Sequence, residues 1–327
     1  MPKFTRRSVA KGLAATALLP LARPAIGQGA YPGNHTIKVV VPYPAGGATD
    51  AVGRLVADRL QNMWKTTVVV ENVPGAAANI GMDRVSKGPT DGTQILMVPP
   101  QIAINQYLYA KLAYDPEKDL VPIAQVVSLP NILAVRKTLE VNSVKEFVAY
   151  AKANPGKLNF ASSGSGTTIH LSGELFKKMA GIEMNHIPYR GSAPALNDLV
   201  AGQVDLIFDN ATSVIGQVRG GTVKALGITS RGRYPLLSDM EPVADTVPGY
   251  ETGAWFGVGV RTGTPEEIIA TIEKAAIALA QEQVVKERLA QVITEPVVSD
   301  RKKFAAFIDD ERKKWGALIK DLKLRVE

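Results

Sequence analysis

Val39-Val40-Val41-Pro42-Tyr43-Pro44-Ala45-Gly46-Gly47-Ala48-Thr49-Asp50 is the stretch whose reading decides the fold. Three β-branched residues run into a Pro/Gly loop. The loop opens onto residues 51–60, where apolar side chains recur at 52, 55, 56 and 60 with helical spacing. The pattern is strand, glycine turn, helix start. The first amides of such a helix have no partner inside it and lie at the positive end of its dipole. A phosphate or a carboxylate fits there. A plain strand–helix connection accounts for the same residues, so the loop by itself leaves both readings open.

Outward from this stretch the chain alternates. Ile37–Val41 reads as a strand, 49–63 as a helix, 67–71 as a strand, 77–86 as a helix and 93–98 as a strand. That βαβαβ order predicts parallel strands with helices on both faces. Residues 104–108 read as a short helix, and 121–127 and 132–135 as two separate strands. A second alternating set follows. Residues 144–154 form a helix with Ser143 as cap, Glu146 three residues on and Pro155-Gly156 as stop. Strands at 158–161, 185–187, 204–208 and 223–229 are separated by helices at 169–180, 193–201 and 213–219. A strand at 255–261 and helices at 265–282, 284–291 and 300–322 complete the chain, with Pro265 expected at the first helical position after Thr264. Residues 39–60 and 159–179 repeat one shape: strand, glycine-rich loop, helix. Two α/β units of this build predict two lobes facing across a cleft, with the ligand beyond the carboxyl ends of the strands.

The 327 residues include 38 basic and 31 acidic side chains, a formal net charge of +7. The basicity is local. Residues 1–30 hold Lys3, Arg6, Arg7, Lys11 and Arg23 and no acid, and without them 33 basic residues face 31 acidic ones. A nearly neutral body with no basic stripe is no nucleic-acid binder. Arg6-Arg7, the short apolar run at 12–19 and the small residues at 25–30 read as an export signal of twin-arginine type, cleaved near 27–30, with the Sec route equally open. The expectation is an exported, periplasmic, soluble monomer. Without cysteine there is no disulfide framework, thiolate metal site or thiol nucleophile.

Several motifs fail. Residues 162–166 are not Gly-x-Ser-x-Gly. Gly164-Ser165-Gly166 lacks the third glycine of a dinucleotide fingerprint, since Ile169 stands there. His35, His170 and His186 have no metal-ligand spacing, so neither metal nor cofactor is expected. Ser165, His170 and Asp209 supply the residue types of a triad, which leaves an exported serine-type hydrolase as the alternative reading. What remains is a second anion-type loop, Ser162-Ser163-Gly164-Ser165-Gly166-Thr167-Thr168, too rich in hydroxyls for a helix cap alone. Arg190, in Tyr189-Arg190-Gly191, reads equally as a carboxylate partner or a solvated surface arginine.

These segments in this order carry a resemblance. Residues 41–50, Val70-Glu71-Asn72-Val73-Pro74-Gly75-Ala76, Asn79-Ile80-Gly81, Asp91-Gly92, Tyr114-Asp115-Pro116, the 162–168 loop with His170-Leu171, and Tyr189-Arg190-Gly191 through Gly202-Gln203-Val204-Asp205 are similar to the Bug family, the extracytoplasmic solute receptors of tripartite tricarboxylate transporters. The resemblance covers nearly the whole chain after residue 30. It implies an α/β Venus-flytrap protein, each lobe a mixed sheet flanked by helices: lobe one at 31–130 and 252–327, lobe two at 131–251. It implies a small carboxylate ligand and, as partners, the transporter's membrane components or a sensor protein. It implies binding, not catalysis. Carried over by position, lobe one offers Tyr43, Ala45, Gly46, Gly47, Thr49 and Asp50, and lobe two offers Ser162, Ser163, Gly164, Ser165, Gly166, Thr167 and His170. Tyr189, Arg190, Gly191 and Asp209 close the wall. Pro99-Pro100-Gln101 departs from the family's small-residue loop and places Gln101 at the far end of the ligand. Ala76-Ala77-Ala78 replaces a more glycine-rich stretch.

Overall fold

The computed structural model describes residues 31–326. The export signal read at 1–30 lies outside them. From Pro32 onward the chain forms one unit, and among the described residues no helix is long and apolar enough to cross a membrane. In chain order it runs β1 (Ile37–Val41), α1 (Ala48–Trp64), β2 (Val68–Asn72), α2 (Asn79–Ser86), β3 (Gln94–Val98), α3 (Gln101–Leu108) and β4 (Leu120–Arg136). Next come α4 (Val144–Ala153), β5 (Asn159–Ser162), α5 (Thr168–Ala180), β6 (Asn185–Pro188), α6 (Ser192–Ala201), β7 (Leu206–Asn210), α7 (Ala211–Arg219) and β8 (Val223–Ile228). The chain ends with β9 (Gly253–Arg261), α8 (Glu266–Gln281), α9 (Gln283–Gln291), β10 (Glu295–Pro296) and α10 (Arg301–Asp321).

The strands order as β2-β1-β3-β9-β4-β7-β5-β6, with β8 and β10 also on β4. β1 lies parallel between β2 and β3, and β5 lies parallel between β6 and β7. β9 and β4 run antiparallel to their neighbours, so each half is mixed and not wholly parallel. The two strands expected at 121–127 and 132–135 are one continuous β4. Pro122 and Pro130 read as breakers, but Pro122 sits at a register shift against β9 and Pro130 at the last β9 pair, where a missing N–H is tolerated. At that point β4 changes partners: Pro130 pairs with Gly253 of β9, while Asn131 pairs with Asn210 of β7. The two-lobed architecture turns on this strand.

Side-chain alternation along β4 feeds both faces of the second half. Leu133 and Val135 join Phe147, Phe160, Phe176 and Phe208 on one side; Ile132 and Ala134 join Ile169, Leu196, Ile207 and Val214 on the other. The first half buries Val40, Leu96, Ile102, Trp255 and Phe304 together. A smaller cluster joins the halves, with Leu171 of α5 against Ile104, Leu108, Trp315 and Ile319. The caps follow the sequence signals: Ser143 accepts from the Glu146 amide, Thr167 from His170 and Asp300 from Lys303. Pro265, expected as the first helical residue, is instead the cap of α8, which starts one position later at Glu266.

Candidate functional site

Tyr43, Ala45, Gly47 and Thr49 come from the opening stretch, Gln101 from α3, Ser163 and Thr167 from the second loop, and Arg190 and Gly191 from the turn before α6. The structure brings them together around one cavity. Its other walls are Pro44, Ala48, Pro100, Thr168, Ile169, Ser192, Ala193, Pro194, Asn210, Ala254 and Phe256.

The wall has one construction principle. The first residues of α1, α3, α5 and α6 all line the cavity, and so does Asn210, the cap residue of α7. α1 and α6 are capped by glycine with no side-chain hydrogen bond. In α1 the first internal bond runs from the Ala51 amide to the Gly47 carbonyl at 3.0 Å, leaving the amides of Ala48 and Thr49 for a solute. A Cβ added at Gly47 meets no atom within 4 Å, so glycine here keeps the space open. Among the described residues, Arg190 is the one charged side chain on the wall, and it is exposed. An anion here meets helix amides and hydroxyls, each helix end worth about 0.3–1 kcal/mol at the surface and up to ~2 kcal/mol when partly buried.

Gly46 and Asp50 stand behind this wall. The Asp50 carboxylate accepts from the Gly46 amide (3.0 Å), Arg54 (3.0 Å) and Asn72 (2.9 Å). Burial raises its pKa, but the Arg54, Gly46 and Asn72 bonds outweigh that and hold it below the usual carboxylate range. Asp50 therefore shapes the loop. Gln101 reaches across the cleft: its Nε2 donates to the Gly166 carbonyl at 3.2 Å.

The second loop is braced from beneath. Ser162 Oγ lies 2.6 Å from His186 Nε2 and accepts from the Gly164 amide, while the Gly166 amide donates to His170 Nδ1 at 3.1 Å. The two imidazoles stack at 3.9 Å. Burial, then the charges of His186 and Lys177, lowers His170 to about 3, and burial with the charge of Lys177 lowers His186 to about 4, so both are neutral at ordinary pH. Ser162, Gly166 and His170 thus form the loop's support. Among the described residues no hydrogen bond joins Ser165 to His170 or either to Asp209: His170 is committed to Gly166, and Asp209 to Ser192 and Asn210. The triad is not assembled.

Gly164, Ser165 and Tyr189 face a neighbouring cavity that shares Tyr43, Pro44, Ser163, Arg190 and Gly191 with the first. The Tyr189 hydroxyl is held by Asp198 at 2.7 Å. Asp209 is fully buried behind Ser192. Sequence reasoning missed the α6 and α7 starts. Gly191-Ser192 carried a signal, a glycine cap without a side chain; Ala254 and Phe256 on β9 carried none. Among the described residues no cluster suits a metal ion.

The model of the tripartite tricarboxylate transporter family receptor matches residues 52–324. The chain belongs to this family. The receptor is 34% identical to Rpa4515 of R. palustris, solved with adipate, with a TM-score of 0.88 over 90% of this chain and 99% of that one. The periplasmic binding protein BugD is 32% identical, with a TM-score of 0.85 over 89% and 99%. MatC of Rhodopseudomonas palustris, solved with bound malate, is 30% identical, with a TM-score of 0.80 over 87% and 99%. The receptor is thus a solute-binding protein of the Bug family with the two-lobed fold of its neighbours.

Proposed function

We propose that this receptor captures a small carboxylate between residues 31–130 with 252–327 and residues 131–251, closes on it, and delivers it to the membrane components of a tripartite tricarboxylate transporter. It acts in the periplasm as a binding protein and performs no catalysis. The observation that carries this reading is the convergence of five helix N-termini, four of them without a side-chain cap bond, on one cavity without a buried cation. Such a site favours a small anion with planar acceptor oxygens over a neutral or cationic solute. The adipate and malate in two neighbours are carboxylates and support the same class. Tyr43, Ala45, Gly47, Thr49, Gln101, Ser163, Thr167, Arg190 and Gly191 surround the solute, and the remaining loop residues hold them in place.

The test uses protein stripped of solute by unfolding and refolding. Acetate, malate, adipate and benzoate are titrated while thermal unfolding is followed, beside native mass spectrometry of the protein as purified. A binder present at about 100 times its Kd adds about 2.7 kcal/mol of stability, which raises Tm by several degrees in a chain of this size. A panel with no shift, and no carboxylate in the purified protein, overturns the reading.

A further inference from the structure

Behind the cavity wall stands a carboxyl group that the capture of an anion has to contend with. Asp209 is completely buried at the end of β7. Its Oδ1 accepts from Ser192 Oγ at 2.9 Å and from the Asn210 amide at 2.8 Å, and among the described residues its Oδ2 has no hydrogen-bond partner. Ser192 and Asn210 both line the cavity. Ser192 is the first residue of α6; its hydroxyl is one hydrogen bond from the buried carboxyl, and the residue itself lines the cavity.

A hydroxyl has a single hydrogen. While Asp209 is ionised, that hydrogen is committed to it, and Ser192 presents only lone pairs to a carboxylate solute. Once Asp209 is protonated, its own O–H donates to Ser192 Oγ, and the serine hydrogen turns toward the solute. We propose that capture of a carboxylate draws one proton from solvent onto Asp209, reversing the Asp209–Ser192 hydrogen bond so that Ser192 becomes a donor to the bound anion. Release returns the proton to solvent. The proposal rests on the carboxylate reading above and assigns Asp209 as a positioning residue acting through Ser192.

The surroundings permit this. Burial lifts Asp209 to about 7, against the opposing pull of its Ser192 and Asn210 bonds. The titratable groups on the elements packed against β7 are committed elsewhere. Arg136 of β4 pairs with Asp205 at 2.9 Å. On α5, His170 accepts from the Gly166 amide, Glu174 pairs with Lys177, and Lys178 pairs with Asp321. Asp198 of α6 accepts from Tyr189, and Arg219 of α7 donates to the Gln291 carbonyl. Arg190, in the turn before α6, is exposed. β5 contributes no titratable side chain. The histidines at about 3 and 4 stay neutral while Asp209 titrates.

The sign follows. A bound anion favours the protonated form and raises the Asp209 pKa above its solute-free value of about 7. Affinity is therefore full below that pH and falls as pH rises above it, approaching about tenfold per pH unit until the bound pKa is reached. The experiment is isothermal calorimetry with the strongest binder among acetate, malate, adipate and benzoate, at about pH 8 in triethanolamine and in Tris, two cationic buffers that do not compete for an anion site, together with Kd from about pH 6 to 9. Wild type is expected to take up close to one proton per solute, seen as a buffer-dependent heat. Asp209→Asn, whose amide donates permanently to Ser192, and Ser192→Ala are both expected to abolish proton uptake and flatten the pH profile. A buffer-independent heat in wild type with the carboxylate bound overturns the proposal, as does unchanged proton uptake in either variant. Should a variant fail to fold, the wild-type measurement in two buffers decides. Absence of binding by every panel member at every pH overturns the receptor reading, and this proposal with it.

Discussion

At the scale of single residues, the site relies on what is missing as much as on what is present. Gly47 caps α1 with φ −93° and ψ 175°, a conformation open to any residue, and a Cβ there meets nothing within 4 Å. Space for the solute, not backbone strain, asks for glycine. Gly47→Leu is therefore expected to fold, losing no more than about 1 kcal/mol by chemical denaturation, while its carboxylate affinity drops by at least about tenfold, or ~1.4 kcal/mol, in a binding titration. Equal affinity in the two proteins would remove Gly47 from the site. Asp50 makes the complementary point. Carried over by position as a ligand residue, it stands in the structure in bonds to Gly46, Arg54 and Asn72 that order the loop. In the sequence Asp209 stood as a triad candidate and, by resemblance, as a residue of the cleft wall. That it is buried, half-satisfied and one hydrogen bond from the cavity depends on Ser192, 17 residues away in sequence.

At the scale of elements, helix and strand cores were legible because hydrophobic period and caps are local. The sharpest departure is the turn into α2. Gly75, Ala76, Ala77 and Ala78 all have positive φ, at 135°, 46°, 47° and 70°. Each alanine in that region costs about 1–2 kcal/mol relative to its relaxed conformation. The loop is held by Asn105, which donates to the Ala77 carbonyl and to Asn79 at 2.8 Å each, and by Tyr114, which donates to Asn79 at 2.9 Å. The same turn lines the cavity beside the main one. Ala77→Gly is expected to raise stability by ~0.5–1 kcal/mol, since relief of strain outweighs the added freedom of the unfolded chain. Differential scanning calorimetry checks it; a lower Tm would show that these alanines sit there without strain.

For the whole molecule, the decisive feature is the crossing of β4 between the two halves. The Thr229 hydroxyl accepts from the Asn131 amide at 2.8 Å and lies 2.8 Å from the Thr252 carbonyl, while the Thr252 amide donates to the Thr229 carbonyl at 3.0 Å. Asn131 Nδ2 donates to Ser172 at 3.0 Å, and its Oδ1 accepts from Asn210 at 2.6 Å. A buried polar network therefore runs from the cavity wall at Asn210 to the crossing. Thr229→Val conserves volume but strands the Asn131 amide, at an expected cost of about 1–3 kcal/mol in urea denaturation. Thr212→Val, at the partly buried Thr212–Thr294 contact between the halves, is expected to cost less than about 1 kcal/mol. Equal effects of the two would show that the crossing is no stiffer than the surrounding surface.

By itself the sequence determined most of the elements, both glycine-rich strand–helix loops and the family, because periodicity, capping and turn chemistry are written within a few residues of where they act. The single β4, the gathering of α3, α6 and α7 around the cavity, the brace of His170 and His186 beneath the second loop, and the link from Ser192 to Asp209 were decided by the tertiary structure. Each depends on which strand pairs with which and on what becomes buried, and strand partners and desolvation are properties of residues far apart in the chain. For the stretch at 39–50 the division is clear. The local pattern made it a strand, a turn and a helix start; four further helix ends, brought in from elsewhere, made it one wall of a site.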